Sequence, residues 1–538
     1  MGQPVVEDWR AMYPTTPVTN SADVPVAVAF DRLPHPPQPF TPSHVFVAGR
    51  KVYVNTNSTY TIVKYALDGS GGLGTIVEEV EWPPVTGNKV AGRAPVAMAI
   101  MDVSDNGIEY HGLFVTGVVE GPDGTTNWLT VGYNINLDLL WTAEFNYQPI
   151  EAEVGGNDVP VGIAATAYPG DPGFPHRQRV IVTGTSQGLG TGTDMQTVVY
   201  DAVDGQEVYG RRFTTAGVAD EIPAGVSAIN NLYWTVCTEP NGAGRRLRVF
   251  CYDLYTGDPH NPGGLNKWGT STNPGLVLSI PSHHLDAVGV GVTIDPNNAW
   301  VGGTATPFFQ TGQGKNMAFA RVPADTPPAQ NSAPEVFDST NHYNDVATCM
   351  AVGIVPGIVG ATITNYFCIA GYAETPGEGR QVQAVLYTQH DNVPVLERWR
   401  TQFGRQEHLD DDEAVVISMS GPSSSPQLPG GTQPDLDVFI AARTRNAAGF
   451  WDALILKYDS DAEVGGGNKV RRWFQEPRAY GNNPGDDVPA GIAAYSAQTP
   501  GANIYLHRVF TTIRSFDFSA NATGTNWLTI KHKEVPPP

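Results

Sequence analysis

The phrase DVPVGIA at Asp158–Ala164 returns far along the chain as DVPAGIA at Asp487–Ala493. An acidic residue opens each copy, and a run of small and β-branched residues follows. Further copies read DVPVAVA from Asp23, RAPVAMA from Arg93, EIPAGVS from Glu221, DAVGVGV from Asp286, DVATCMA from Asp345 and DEAVVIS from Asp412. That makes eight repeats, starting near 24, 94, 159, 222, 287, 346, 413 and 488. A spacing of about 60 to 75 residues suits one propeller blade or slightly more.

Three further strand signals follow each opening. Taking the opening as strand a, strand b is β-branched and closes on glycine, as in Val45–Gly49, Leu113–Gly117, Val180–Gly184, Ala299–Gly303 and Tyr366–Gly371. Strand c reads TIVKY at Thr61–Tyr65, LTVGY at Leu129–Tyr133, TVVYD at Thr197–Asp201, LILKYD at Leu454–Asp459 and LTIKH at Leu528–His532. Strand d is aromatic and basic, as in Trp141–Tyr147, Val208–Phe213, Trp399–Phe403 and Val470–Phe474, and it is weakest near Val336 and Phe337. β-Branched and aromatic residues suit strands, and turn signals such as Val203-Asp204-Gly205 separate them. Ala-, Gly- and Val-rich strands a fit the crowded axis of a tapering blade. The expected fold is all-β, an eight-bladed β-propeller of four-stranded antiparallel blades, forming one domain over 1–538. The eighth repeat shows no strand d after His532, while residues 8–13 (DWRAMY) read as a spare strand before the first repeat. Pairing them into the last blade would satisfy an otherwise bare sheet edge.

The acidic residue before strand a, then (V/F)xVTG, then TVKYD, then an aromatic strand d, together resemble the SBBP-type β-propeller repeat family of bacterial extracellular proteins. The resemblance spans nearly the whole chain. It implies secretion or surface display and a scaffold or binding role, and it carries no catalytic motif.

Composition narrows the partners. Charged residues are only 16% and net charge is −22, without the basic stripe that a nucleic-acid interface needs. No apolar run approaches the ~20 residues of a membrane span. The start, MGQPVVEDWR, has neither the basic start nor the apolar stretch of a signal peptide. Four cysteines read as two hairpin pairs, Cys237 with Cys251 and Cys349 with Cys368. Cross-strand neighbours can bridge, and two disulfides would favour an oxidising compartment, so the expected location is extracellular or in the cell envelope. Buried free thiols are the alternative.

Candidate chemistry is sparse. The acids Asp23, Asp158, Glu221, Asp286, Asp345, Asp412 and Asp487 would lie on one rim. They would form either a carboxylate ring for Ca²⁺ or caps for backbone N–H groups where one blade passes to the next. The run His408–Glu413 is acidic but lacks Ca²⁺-loop spacing, and His283 and His284 are adjacent, so on a strand they point apart. Gly184-Thr185-Ser186-Gln187-Gly188 matches G-x-S-x-G but precedes no helix. Trp128, Trp451 and Trp527 recur near strand c, as a sugar platform or as blade packing. These features predict a non-catalytic scaffold that binds a protein or polysaccharide, or self-assembles, with contacts in the loops Leu33–Ser43, Pro323–Pro334, Gly421–Pro434 and Asn482–Asp487. The competing expectation is a propeller enzyme acting at a central channel, a polysaccharide lyase or hydrolase or a quinoprotein-like oxidoreductase. Against the last, the vicinal cysteines and the tryptophan docking repeat of the quinoprotein dehydrogenases are absent.

Overall fold

The computed structural model describes residues 5–13, 23–31, 43–52, 58–67, 74–82, 94–105, 108–121, 124–147, 156–168, 177–188, 192–215, 220–242, 244–260, 268–270, 273–280, 283–293, 298–307, 314–324, 334–337, 344–355, 364–375, 377, 379–390, 395–404, 411–420, 436–446, 449–459, 473–475, 486–498, 505–519 and 522–534. The fold is an eight-bladed β-propeller of antiparallel four-stranded sheets. Strands a of blades 1 to 8 are Val24–Phe30, Ala94–Asp105, Asp158–Tyr168, Ile222–Ile229, His283–Thr293, Asp345–Val355, Asp412–Ser420 and Asp487–Gln498. Blade 3 shows the full pattern, continuing through Arg177–Gly188, Gly192–Asp201 and Glu207–Phe213.

Blade 8 takes its fourth strand from the chain start. Val5–Tyr13 pairs antiparallel with Ala522–Glu534, from Val5 opposite Glu534 to Tyr13 opposite Trp527. Lys531 joins this strand to its neighbours: its ammonium lies 3.0 Å from the Asp8 carboxylate and donates to the Leu67 carbonyl of blade 1 at 3.0 Å.

The chain divides into two compact units. One holds 56–62 and 78–338, and the other holds 1–55, 63–77 and 339–538. In the first, strands a of blades 2, 3, 4 and 5 pack in sequence. In the second, the order is blades 6, 7, 8 and then 1, so the last repeat meets the first.

Packing explains the repeat. Strand b is sandwiched, with Val180, Ile181 and Val182 of blade 3 all fully buried. Val180 and Val182 join Met101, Phe114 and Trp128 of blade 2, while Ile181 joins Tyr233, Cys237 and Phe250 of blade 4. The apolar core is therefore a set of seams between adjacent blades, which is why these strands read as near-continuous apolar runs rather than alternating ones.

The a–b pair breaks register at the same repeat position in all eight blades, after Pro25, Pro95, Pro160, Pro223, Ala287, Ala347, Ala414 and Pro489. A bulge leaves one residue unpaired and sharpens the local twist. Proline has no N–H to pair, so it suits the entry to a bulge. The bulge also presses strand a onto strand b. A Cβ on Gly117 would come within 2.2 Å of the Ala94 carbonyl oxygen, and one on Gly184 equally close to that of Val159. The glycine facing the bulge, which lies inside strand b rather than at its end, is thus fixed by lack of room.

One expectation is corrected. The cysteines form no disulfide and are thiols. Cys237 pairs with Arg248 and Cys251 with Trp234, three residues out of register, and they pack in different seams. Cys349 stands opposite Ala370 and Cys368 opposite Ala351, a diagonal placement rather than a facing one. Among the described residues, strand d spans three residues in blades 4, 5 and 7, at Leu276–Leu278, Glu335–Phe337 and Trp473–Gln475. Short edges limit unwanted strand pairing.

Candidate functional site

The recurrent acids stand where strand a begins, and strands b end and strands c begin beside them. Asp23, Asp158, Glu221, Asp345 and Asp412 have no exposed surface and Asp487 is 3% exposed. Backbone N–H groups serve Asp158, Glu221 and Asp23. Asp158 Oδ2 accepts from the Tyr147 N–H at 2.8 Å, in the connection from blade 2 to blade 3. Glu221 Oε1 accepts from the Thr215 N–H at 3.1 Å and from the Thr215 hydroxyl, in the next connection. Asp23 Oδ1 accepts from the Val52 N–H at 2.9 Å. Asp286 differs: it is half-exposed and pairs with Arg245 at 2.9 Å. Arg93 lies outside the described residues.

A second polar residue, directly before the acid, works beside it. Asn157 Oδ1 accepts the N–H of Thr126 at 3.1 Å, and Asp220 Oδ1 that of Thr193 at 2.8 Å. Asp411 Oδ1 accepts the N–H of Arg380 at 3.2 Å, and Asp486 Oδ1 that of Trp451 at 2.9 Å. Each of these N–H groups stands at the start of strand c in the preceding blade. Each such doublet (Asn157-Asp158, Asp220-Glu221, Asp411-Asp412, Asp486-Asp487) carries one residue that clamps the preceding blade and one buried acid that opens its own. Sequence reading singled out only the second residue, although the doublets are visible in the sequence.

At the other end of strand c, seams are fastened by other donors. Trp141 Nε1 donates to the Ala202 carbonyl at 2.9 Å, the Tyr209 hydroxyl to the Leu254 carbonyl at 3.0 Å, and Trp268 Nε1 to the Ala324 carbonyl at 2.7 Å. Each acceptor lies just past strand c of the next blade, the place where Lys531 reaches Leu67. Gly205 and Gly257 turn there with φ of +72° and +67°, and a Cβ on either would strike the ring of Trp141 or Tyr209.

Burial sets the acid–base character of these groups. Asp158 is pushed up to about 6 by desolvation, against the pull of Ser186, the Tyr147 N–H and Arg212. Glu221 is pushed up to about 7, again by burial, with the Thr215 contacts lowering it and Asp194 raising it. Burial drives the Cys349 thiol up to about 12 and holds Cys237 and Cys368 well above their usual value. Such thiols carry little of the nucleophilic thiolate.

The remaining candidates find places without a reaction centre. Ser186 of the G-x-S-x-G match is buried within strand b and lies in hydrogen-bonding reach of Asp158; no nucleophile elbow forms. Ser43, His44 and Asp31 do gather: the Ser43 hydroxyl donates to Asp31 Oδ2 at 2.6 Å, and His44 Nδ1 lies 3.0 Å from Ser43 Oγ and 3.1 Å from the same Asp31 oxygen. A relay needs one imidazole nitrogen for serine and the other for the acid. Here Nδ1 faces both, and the serine proton goes to the carboxylate. His283 and His284 are successive residues of a strand, opposite Pro307 and Thr306.

Trp128 and Trp527 are fully buried in seams, whereas Trp451 sits two residues before its strand-c counterpart position, beneath the Arg443 guanidinium at 4.5 Å. Among the described residues no three His, Cys, Asp or Glu side chains group closely enough to hold a metal ion. Nor is any helix among them long and apolar enough to cross a membrane. Residues 408–410, the loops 421–434 and 482–485, and most of Leu33–Ser43 and Pro323–Pro334 lie outside the described residues.

No family model matches the chain, and no curated protein matches it. Among solved structures it is similar to the WD40 domain of SCAP from fission yeast, at 9% identity and a TM-score of 0.41 over 97% of each chain. It is also similar to Drosophila Semaphorin 2a, at 10% identity and a TM-score of 0.39, over 82% of this chain and 76% of that one. The fold assignment rests on strand order and register, to which these likenesses add nothing.

Proposed function

We propose that this chain is a non-catalytic scaffold of the cell exterior or envelope that binds a protein or polysaccharide partner through the loops between its strands. One observation carries the reading: the recurrent polar side chains whose partners are described accept backbone N–H groups, most of them from the preceding blade or the connection that leaves it. Asp158, Glu221, Asp23 and the clamps Asn157, Asp220, Asp411 and Asp486 all accept backbone N–H groups. Blades fastened in this way leave recognition to their connecting loops. The exterior location draws its support from the resemblance to SBBP-type repeats, since the cysteines are thiols and lend none.

The test is a binding screen of the purified chain on immobilised polysaccharides and peptides, beside turnover assays for lyase, hydrolase and dye-linked dehydrogenase activity. The reading predicts saturable binding that is lost when loop 33–42, 325–333 or 421–434 is replaced by Gly-Ser, with unfolding unchanged and no turnover. Catalytic turnover, or binding indifferent to all three loops, would overturn it.

A further inference from the structure

The seam between blades 3 and 4 places two buried acids against each other. Asp194, at the start of strand c in blade 3, and Glu221, at the start of strand a in blade 4, both have no exposed surface and lie within hydrogen-bonding reach. Asp194 Oδ2 takes both the Nε and an Nη of Arg212, whose guanidinium lies 3.9 Å from the centre of the Tyr147 ring. Among the described residues Glu221 has only the neutral donors of Thr215, both on Oε1, and its buried Oε2 meets no donor.

Asp158 lies beside Arg212. Asp220, from the connection, is engaged with the Thr193 N–H. From blade 4, Cys237 and Glu239 face the site, and Glu239 is held by Arg246 at 2.5 Å and Arg248 at 2.7 Å. Among the described residues, Arg212 is the cation that serves Asp158 and Asp194. Two carboxylates in contact away from water cannot both carry charge cheaply. A proton between them rests on Glu221, because Asp194 has the positive partner.

We propose that this shared proton is a fastener: with it, Glu221 donates to Asp194 and blade 4 is locked to blade 3; without it, the two acids repel and this seam loosens. The direction follows from linkage. Glu221 holds its proton in the closed seam up to about pH 7, whereas a solvated glutamate releases it near ~4.3. Closure is therefore favoured at low pH and weakened as pH rises through neutrality.

Hydrogen exchange of the intact chain, read by mass spectrometry from pH 6 to pH 8 and corrected for the intrinsic rate, tests this. Peptides covering 193–200 and 220–229 are expected to lose roughly tenfold in protection across that range, relative to 437–445 of blade 7 in the same sample. Glu221→Gln, whose amide donates to Asp194 at every pH, is expected to abolish the loss. Should that variant fail to fold, the wild-type comparison between the two regions still decides. A seam whose protection follows 437–445 at every pH, or a Glu221→Gln protein that keeps the wild-type loss, would overturn the proposal.

Discussion

Replacing Gly184 with alanine adds a single methyl group where strand b meets the bulge of strand a. That Cβ would lie 2.2 Å from the Val159 carbonyl oxygen, 2.5 Å from Pro160 Cα and 2.8 Å from Trp128 Cζ2. Two of these atoms are backbone, in a strand paired on one side and packed on blade 4 on the other, and the third belongs to a fully buried indole. Restoring ordinary contact at 3.4 Å means moving the carbonyl by more than an ångström. Overpacking of this kind costs about 1–3 kcal/mol, and a clash with backbone belongs at the upper end. The narrower unfolded ensemble of alanine offsets about 0.4–1 kcal/mol, leaving a net loss of about 2 kcal/mol. Gly162→Ala is the matched control in the same blade, because its Cβ would meet nothing nearer than 3.5 Å. Urea unfolding followed by tryptophan fluorescence should show a lower midpoint for Gly184→Ala and a midpoint near wild type for Gly162→Ala. Equal midpoints for the two variants would refute the bulged register on which the repeat is explained.

Other outcomes follow from the same seams. Asp158, raised to about 6 by burial, binds its proton more tightly folded than unfolded, so its contribution is complete below about pH 4 and is lost as pH rises through 6. Asp158→Asn should flatten the urea midpoint between pH 4 and pH 7, removing about 1–2 kcal/mol of pH dependence after allowance for solvent screening; an unchanged slope would contradict the assignment. Asp486→Ala strips the acceptor from the Trp451 N–H and should cost about 1–2 kcal/mol, with faster exchange confined to the start of strand c in blade 7; uniform acceleration would argue against a local clamp. All four cysteines should titrate with a thiol reagent in denaturant without reductant, and none promptly in the folded protein, given the burial of Cys237, Cys251 and Cys368 and the raised pKa values of Cys237, Cys349 and Cys368. Two or fewer reactive thiols in denaturant would restore the disulfides.

The fold was legible because each repeat states it several times over. Eight openings, a glycine in strand b and an unmatched strand at residues 8–13 sufficed to place the blades and their closure. The cysteine pairs failed because hairpin symmetry about PNGAG does not fix register: the turn pairs Asn241 with Gly244, which sets Cys237 against Arg248. The roles of the acids were harder. Asp158 as a cation ligand and Asp158 as a cap for Tyr147 look identical in sequence, because the donor is a backbone N–H and carries no residue signature. The far-end fasteners escaped for a related reason. A tryptophan from strand d, a tyrosine from strand d and a lysine from strand c (Trp141, Tyr209 and Lys531) reach the same kind of carbonyl, so no single residue type repeats there.

Whether the recurrent acids fasten blades or bind cations is decided most directly by calorimetric unfolding in chelator and in millimolar Ca²⁺, with Mg²⁺ at matched ionic strength to account for general screening of a chain of net charge −22. Ligand present at a hundredfold its dissociation constant would stabilise the folded state by about 2.7 kcal/mol. Acids that accept backbone N–H groups predict superimposable transitions in chelator and Ca²⁺ once screening is matched. A transition raised by Ca²⁺ beyond the Mg²⁺ control, and lowered by chelator, would make these carboxylates a cation site and contradict the reading of them as fasteners.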